Sequence, residues 1–147
     1  MSVTKTNILF VCTGNTCRSP MAEALLRHKN LPHVEVKSAG IFAIDGGDAS
    51  AHAKAVLAEK GIELQHRSSL LTKEQIDWAT YVLTMTSGHK QHIIDRFPEA
   101  AEKTFTLKEF ITGEAEDVLD PFGGSVDVYR QTRDELENAI IELTKKL

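Results

Sequence analysis

The fold is decided by the run Asn7-Ile8-Leu9-Phe10-Val11-Cys12 and by the loop that follows it, Thr13-Gly14-Asn15-Thr16-Cys17-Arg18-Ser19-Pro20. The first six residues form a nearly continuous run of β-branched and aromatic side chains, which is typical of a strand buried on both faces. Residues 21–28 have the pattern of a helix, with Pro20 suited to its first turn. A buried strand that leads through a short loop into a helix is the first unit of an α/β fold.

Strands and helices alternate along the rest of the chain. We predict further strands at 34–38, 81–85 and 104–107. Helices are predicted at 50–60, from a Ser87 cap to about Arg96, and from about Ser125 to the end. A short helix is also predicted to begin at Thr72, because residues 72–75 have the form of a capping box. In the second helix Ala51, Ala55 and Ala58 share one face. The alternation predicts one doubly wound α/β domain over residues 1–147, with about four parallel strands and helices on both faces. Ligands bind such sheets where the strand order reverses, so the loop after the first strand is the expected site.

The composition excludes several classes of protein. The chain has 147 residues and a net charge of −4, whereas nucleic-acid-binding domains are usually basic. Its longest apolar run, residues 8–12, is too short for a membrane span or for the core of a signal peptide. The two cysteines lie too close together to form the framework of a secreted domain. We therefore expect a cytoplasmic protein with no membrane or nucleic-acid partner, and we expect a monomer.

The loop from residue 12 to residue 20 has the features of a phosphate cradle with a nucleophile at its base. Such a loop directs backbone N–H groups into one concavity at the N-terminal end of a helix. Gly14 suits a backbone that a side chain would obstruct, and Asn15 tolerates a positive φ. Arg18 offers a planar fork for two phosphate oxygens. This environment predicts a Cys12 thiolate with a pKa between about 3.5 and 7.5, and Ser19 is placed to donate a hydrogen bond to its sulfur.

Other interpretations of these residues are weaker. Cys12 alone would be read as a small core residue at the end of a strand. Two cysteines four residues apart lack a second ligand pair for zinc, and His89 and His92 share a helix face without a third ligand. The second glycine and the lysine of a nucleotide-binding phosphate loop are missing. We therefore expect neither a metal nor another cofactor.

The cysteine loop, together with Asp120-Pro121 about a hundred residues later, resembles the low-molecular-weight protein tyrosine phosphatases along essentially the whole chain. The resemblance implies a flavodoxin-like fold and a phosphocysteine intermediate. It also implies that Cys12 is the nucleophile, Arg18 the phosphate ligand and Asp120 the general acid. Phosphorylated proteins would be the substrates. In the family, residues that match Asn15, Ser38 and His66 form a hydrogen-bond network that supports the loop.

Within this family the chain looks most like the bacterial protein arginine phosphatases. Thr16 stands where the tyrosine-directed members usually carry an aliphatic residue, and a hydroxyl suits a polar guanidinium. Phe122 offers a ring on which a guanidinium can stack, and Gly123 and Gly124 replace a second aromatic residue. The resemblance then implies a bacterial stress-response role that opposes a protein arginine kinase. A tyrosine phosphatase is the alternative function. A second open alternative is that Thr16 only fits the loop backbone and does not select the substrate.

The substrate-binding residues are therefore expected to be the loop positions and one aromatic residue: Thr13, Gly14, Asn15, Thr16, Cys17, Ser19 and Phe122. Cys17 is also a candidate redox partner for Cys12, because a neighbouring thiol protects a reactive thiolate by forming a disulfide. The loop at 42–48 is expected to rim the pocket. An arsenate reductase would need further cysteines, and a phosphoprotein-binding module would need neither Cys12 nor Asp120.

Overall fold

The computed structural model describes residues 5–147 and contains a four-stranded parallel sheet. Its strands are β1 (Thr6–Cys12), β2 (Val34–Gly40), β3 (Tyr81–Thr84) and β4 (Thr104–Thr106), in the spatial order β2-β1-β3-β4. Cys12 lies opposite Gly40 of β2, and Val11 lies opposite Thr84 of β3. Because β2 and β3 flank β1, the strand order reverses at the carboxyl end of β1. The predicted fold class is confirmed, and Cys12 stands at the reversal point.

Helices cover both faces of the sheet. Their bounds are α1 (Arg18–His28), α2 (Ala51–Ala58), α3 (Lys73–Trp78), α4 (Ser87–Arg96), α5 (Leu107–Thr112) and α6 (Val126–Thr144), with a 3-10 helix at Pro98–Lys103. Ile8 and Phe10 of β1 pack in one core cluster with α1, α2 and α6, and Leu9 and Val11 pack in another with α3 and α4. Alternate side chains of a strand point to opposite faces, so β1 is buried on both sides as its apolar run predicts.

Helix starts are where the structure departs most from the sequence prediction. The first helix begins at Arg18 rather than Met21, so Pro20 lies inside its first turn. Proline is tolerated there because the first N–H groups of a helix have no acceptor within it. The cap of α4 is Thr86, whose hydroxyl accepts from the N–H of His89, and the predicted Ser87 cap is wrong by one residue. The capping box at Thr72 is confirmed, and the last helix begins at Val126 with Ser125 as its N-cap, next to the predicted start.

Two short helices were not predicted, namely α5 and the 3-10 helix before β4. Thr106 accepts from the N–H of Glu109 and so caps α5, which begins at Leu107 where the prediction extends the strand. The alanine face of α2 is exposed, and its buried residues are Ala53, Val56 and Leu57. Short segments carry too few residues for a period to be read from them. Among residues 5–147 no helix combines the length and the apolar character that a membrane crossing requires.

Candidate active site

The site is built around the carboxyl end of β1 and the first turn of α1. Cys12 is 3% exposed, and its Sγ lies 2.8 Å from Oγ of Ser19 in that turn. A cavity of about 230 Å³ opens above the sulfur. It is lined by eight of the predicted residues: Cys12, Thr13, Gly14, Thr16, Cys17, Arg18, Asp120 and Phe122. Sequence positions more than a hundred residues apart therefore meet in one pocket.

Arg18 connects the loop to the segment that carries Asp120. Its guanidinium is almost fully buried, with Nη1 donating to the carbonyl of Val118 at 2.8 Å and Nη2 lying 3.7 Å from Oδ2 of Asp120. Val118 is itself buried, and its N–H donates to the carbonyl of Met85 just beyond β3. Asp120 is half exposed and its Oδ1 accepts from the N–H of Phe122. The acid is thus held at the pocket mouth with access to solvent.

The protonation of Cys12 differs from the prediction. Burial raises the pKa of the Cys12 thiol above its ordinary value, whereas the loop sequence predicts a lowered pKa. Hydrogen bonds from Ser19, the charge of Arg18 and the backbone of Asn15 act in the opposite direction. Removal from water disfavours the anion more than these groups favour it. Ser19, Arg18 and Asn15 are therefore the groups that favour the thiolate form of Cys12.

Asn15 is the centre of the loop's internal support. It is fully buried with φ +56°, as the tolerance of asparagine for the left-handed region predicts. Its Nδ2 donates to Oγ of Ser19 at 2.8 Å and to Oγ of Ser38 at 2.9 Å, and its carbonyl lies 2.7 Å from Nε2 of His66. Asn15, Ser38 and His66 thus lie together behind the loop.

The glycine whose lack of a side chain the loop requires is Gly40. The prediction that a side chain at position 14 would obstruct the loop is wrong. A Cβ on Gly40 at the end of β2 would lie 2.5 Å from the carbonyl oxygen of Thr13 and 2.9 Å from the backbone nitrogen of Asn15. A Cβ on Gly14 would meet only Oγ1 of Thr16, at an ordinary 3.7 Å. The loop is packed directly against β2, and only a residue without a side chain permits that approach.

His89 supports the loop from the other side. It is buried at the start of α4, and its Nε2 lies 2.9 Å from Oγ1 of Thr13. Burial lowers the pKa of His89 to about 4, and the charge of Arg18 adds to the effect. The ring of His92 instead packs edge-on against Phe42. Among residues 5–147 no group of three or more His, Cys, Asp or Glu side chains converges as a metal site would require.

The remaining loop residues face the pocket or the helix behind it. Oγ1 of Thr16 lies 3.7 Å from Sγ of Cys17, which in turn lies 3.3 Å from the hydroxyl of Tyr129 on α6. Both cysteines are free thiols. Phe122 is 78% exposed at the mouth. Phe42 donates its N–H to the carbonyl of Thr13 but does not line the cavity.

A family model described as low molecular weight phosphotyrosine protein phosphatase matches residues 7–147. The chain belongs to this family. The strand order of the sheet and the cysteine loop at its reversal point are therefore those of a low molecular weight phosphatase. The resemblance seen in the sequence is confirmed.

Relatives within the low molecular weight phosphatase family cover nearly the whole chain. A protein-arginine-phosphatase of Geobacillus stearothermophilus is 68% identical over 95% of each chain, and one of Bacillus subtilis is 54% identical over 96% of each. The solved YwlE arginine phosphatase from Geobacillus stearothermophilus superposes with a TM-score of 0.95 at 67% identity, covering 96% of this chain and 92% of the other.

Four residues of this phosphatase site escaped the sequence analysis: Glu23, Gly40, Val118 and Tyr129. Gly40, Val118 and Tyr129 contact the loop or Arg18 from other elements, and Glu23 accepts a hydrogen bond from Ser38 behind the loop, so no local motif marks them. Gly40 has the clearest signal, since a glycine that ends a predicted strand beside the nucleophile strand indicates a close backbone approach. The other three look like ordinary helix or loop residues in the sequence.

Proposed function

We propose that this chain is a cysteine-dependent protein arginine phosphatase that hydrolyses phosphoarginine in proteins. The observation that carries the proposal is that Thr16, a residue with a hydroxyl group, lines the same pocket as Asp120 and Phe122. Within residues 5–147 its only side-chain partner is the Cys17 sulfur at 3.7 Å, a weak contact. The hydroxyl is free to bind a polar group next to the reacting phosphorus.

A guanidinium is better accommodated by this pocket than by a pocket with an aliphatic residue at position 16. Its N–H groups each need an acceptor, and an unsatisfied one costs roughly 1–3 kcal/mol. The carbonyl oxygen of the protonated Asp120 carboxyl group and the Thr16 hydroxyl supply acceptors, and the exposed Phe122 ring supplies a face for stacking. The two protein-arginine-phosphatase relatives support the same substrate class.

The first chemical step is displacement at phosphorus. The Cys12 thiolate attacks in line, the Sγ–P bond forms and the bond from phosphorus to the guanidinium nitrogen breaks. Arg18 and the N–H groups at the start of α1 stabilise the equatorial oxygens. Asp120 donates its proton to the departing nitrogen, for which its half-exposed position at the mouth is suitable.

The second step regenerates the thiolate. Asp120, now a carboxylate, removes a proton from water, whose oxygen attacks phosphorus while the P–S bond breaks. Inorganic phosphate leaves through the open side of the pocket. The positive field comes from Arg18 and the helix N-terminus, so the scheme uses no metal.

A tyrosine phosphatase is the second candidate. The family model that matches the chain is described as a phosphotyrosine protein phosphatase, and the Phe122 ring can also pack against a phenyl ring. Against it stands the presence of Thr16, a polar residue, in the lining of the pocket where a phenyl ring would have to be buried.

The test is a comparison of hydrolysis rates for phosphoarginine, phosphotyrosine and phosphoserine in peptides of one sequence. We expect the largest kcat/KM for phosphoarginine, and no turnover but retained phosphate binding in Cys12→Ser. A preference for phosphotyrosine would replace the arginine assignment with the second candidate. Substantial activity in Cys12→Ser would overturn the phosphocysteine mechanism.

The same proposal sets the biological partners. Residues 1–147 act as one phosphatase domain whose partners are phosphorylated proteins, and the opposing activity is a protein arginine kinase. Reversible oxidation through a Cys12–Cys17 disulfide is a further proposed property of this loop, and both sulfurs are present as thiols beside one pocket.

A further inference from the structure

We propose that Glu23 is a positioning residue for the nucleophile and acts through Ser38, Asn15 and Ser19 on the Cys12 sulfur. Glu23 lies on α1, one turn beyond the loop, and does not line the pocket. A continuous series of short contacts nevertheless connects its carboxylate to Sγ of Cys12. The inference rests on the proposed role of Cys12.

The carboxylate fixes the direction of the first hydrogen bond. Oγ of Ser38 lies 2.5 Å from Oε1 of Glu23, and an ionised carboxylate can only accept. The hydrogen of Ser38 is therefore committed to Glu23, and its lone pairs face Nδ2 of Asn15 at 2.9 Å. The N–H of Ser69 donates to Oδ1 of Asn15 at 2.8 Å, which independently sets the same amide orientation.

The second Nδ2 hydrogen of Asn15 fixes the direction of the hydrogen bond between Ser19 and the Cys12 sulfur. Nδ2 of Asn15 donates to Oγ of Ser19 at 2.8 Å, so that oxygen is an acceptor and its own hydrogen is available to Sγ of Cys12, also at 2.8 Å. A hydrogen donated to sulfur favours the thiolate. Bonds in such a chain polarise one another, and a charged acceptor at the far end strengthens each of them.

Glu23 is held for this task by a second partner. Its Oε2 accepts from Nη2 of Arg27 at 2.6 Å, which leaves Oε1 to Ser38. The Glu23 side chain is 13% exposed, whereas that of Arg27 is 59% exposed. The same nitrogen of Arg27 also donates to the carbonyl of Val36 on β2. The partly buried carboxylate is screened by solvent less than its arginine partner is.

The test is the pH dependence of Cys12 alkylation by iodoacetamide, resolved from Cys17 by mass spectrometry of the labelled peptides. It needs no substrate, so it is independent of the proposed phosphatase activity. We expect Glu23→Gln to raise the midpoint by about 0.5–1 pH unit, which slows alkylation about 3–10-fold below the midpoint. The groups that share the pocket with the sulfur, Arg18, Cys17 and Asp120, are unchanged in this variant.

Arg27→Gln is the matched control, because it removes the same ion pair but leaves the bond from Ser38 to Glu23. We expect it to leave the alkylation midpoint nearly unchanged. Equal midpoint shifts in Glu23→Gln and Arg27→Gln would overturn the proposal, as would a Glu23→Gln profile that superimposes on that of the parent. Thermal unfolding of both variants identifies any shift that comes from loss of the fold.

A double substitution tests the route. If Glu23 acts through Ser38, then Glu23→Gln combined with Ser38→Ala shifts the midpoint no further than Ser38→Ala alone. Additive shifts would show that Glu23 acts by another path. For turnover we expect the Glu23→Gln effect to fall on kcat, with KM within twofold of the parent, because the carboxylate does not touch substrate.

Discussion

Nη2 of Arg18 lies 3.7 Å from Oδ2 of Asp120, although the two residues come from opposite ends of the chain. The same guanidinium donates through Nη1 to Val118, two residues before the acid. Arg18 therefore holds the segment that carries Asp120 against the pocket. In the proposed mechanism the same side chain binds the phosphate and places the acid.

Asp120→Asn is expected to lower kcat by about 10²–10⁴-fold, because the leaving nitrogen then departs without a proton. The loss should be smaller for p-nitrophenyl phosphate, whose leaving group is stable as an anion. Steady-state rates on both substrates measure the difference. Equal losses on both would contradict the role of Asp120 as acid in the first step.

Thr16→Ile is expected to shift selectivity from phosphoarginine towards phosphotyrosine. Loss of the hydroxyl leaves a guanidinium N–H unsatisfied, which corresponds to roughly 1–3 kcal/mol, or about 5–150-fold in kcat/KM for phosphoarginine. Thr16→Ser keeps the hydroxyl and should retain the parent's preference. An unchanged ratio of the two kcat/KM values in Thr16→Ile would remove this residue as the selector.

The stability of the protein should fall between pH 6.5 and about 4 because of His89. Burial lowers the pKa of this residue from 6.5 to about 4, so the unfolded chain binds its proton first as the pH falls. The stabilisation is complete above pH 6.5 and is lost as the pH falls to about 4, with a total of about 3 kcal/mol. Denaturant unfolding at several pH values measures the slope. His89→Gln should flatten it, and an unchanged slope would assign the effect to other groups.

Gly40→Ala is expected to destabilise the fold and to reduce activity. Its new Cβ would lie 2.5 Å from the Thr13 carbonyl, and relief of such a clash against backbone costs about 1–3 kcal/mol. Gly88→Ala is the control, because its Cβ would meet only Oγ1 of Thr86 at 3.6 Å. Thermal unfolding of the two variants should separate them clearly. Equal stability would show that β2 can move away from the loop.

Cys17→Ser is expected to make inactivation by hydrogen peroxide irreversible, because Cys12 then has no neighbouring thiol with which to form a disulfide. In the parent, dithiothreitol should restore activity. Irreversible inactivation of the parent would argue against the disulfide.

Much of the fold and the pocket could be predicted because their signals are local. The apolar run before Cys12 predicted a central buried strand, and the loop from Cys12 to Pro20 contains most of the lining residues. Asp120 was found through a family resemblance, since an Asp-Pro pair alone indicates only a turn. The strand register that places Gly40 against the loop could not be predicted from the sequence, because it depends on how β1 and β2 pair.

The pKa of Cys12 shows a different limit. The loop sequence contains every group that favours the thiolate, and the structure retains those groups. Burial of the sulfur, which acts against them, comes from packing around the end of β1. Sequence patterns identify donors well, but they do not measure how completely a side chain is removed from water.

The central position of β1 determines the order in which the parts of the site unfold. A strand paired on both sides and covered by two core clusters belongs to the part of a domain that opens only with global unfolding, whereas a segment with exposed residues opens at lower cost. Residues 113–117, which precede the Val118 anchor, are all exposed. Under mild denaturation the protein should lose its proton donor while the backbone amides of β1 are still protected from hydrogen exchange. Loss of turnover would then precede loss of phosphate binding.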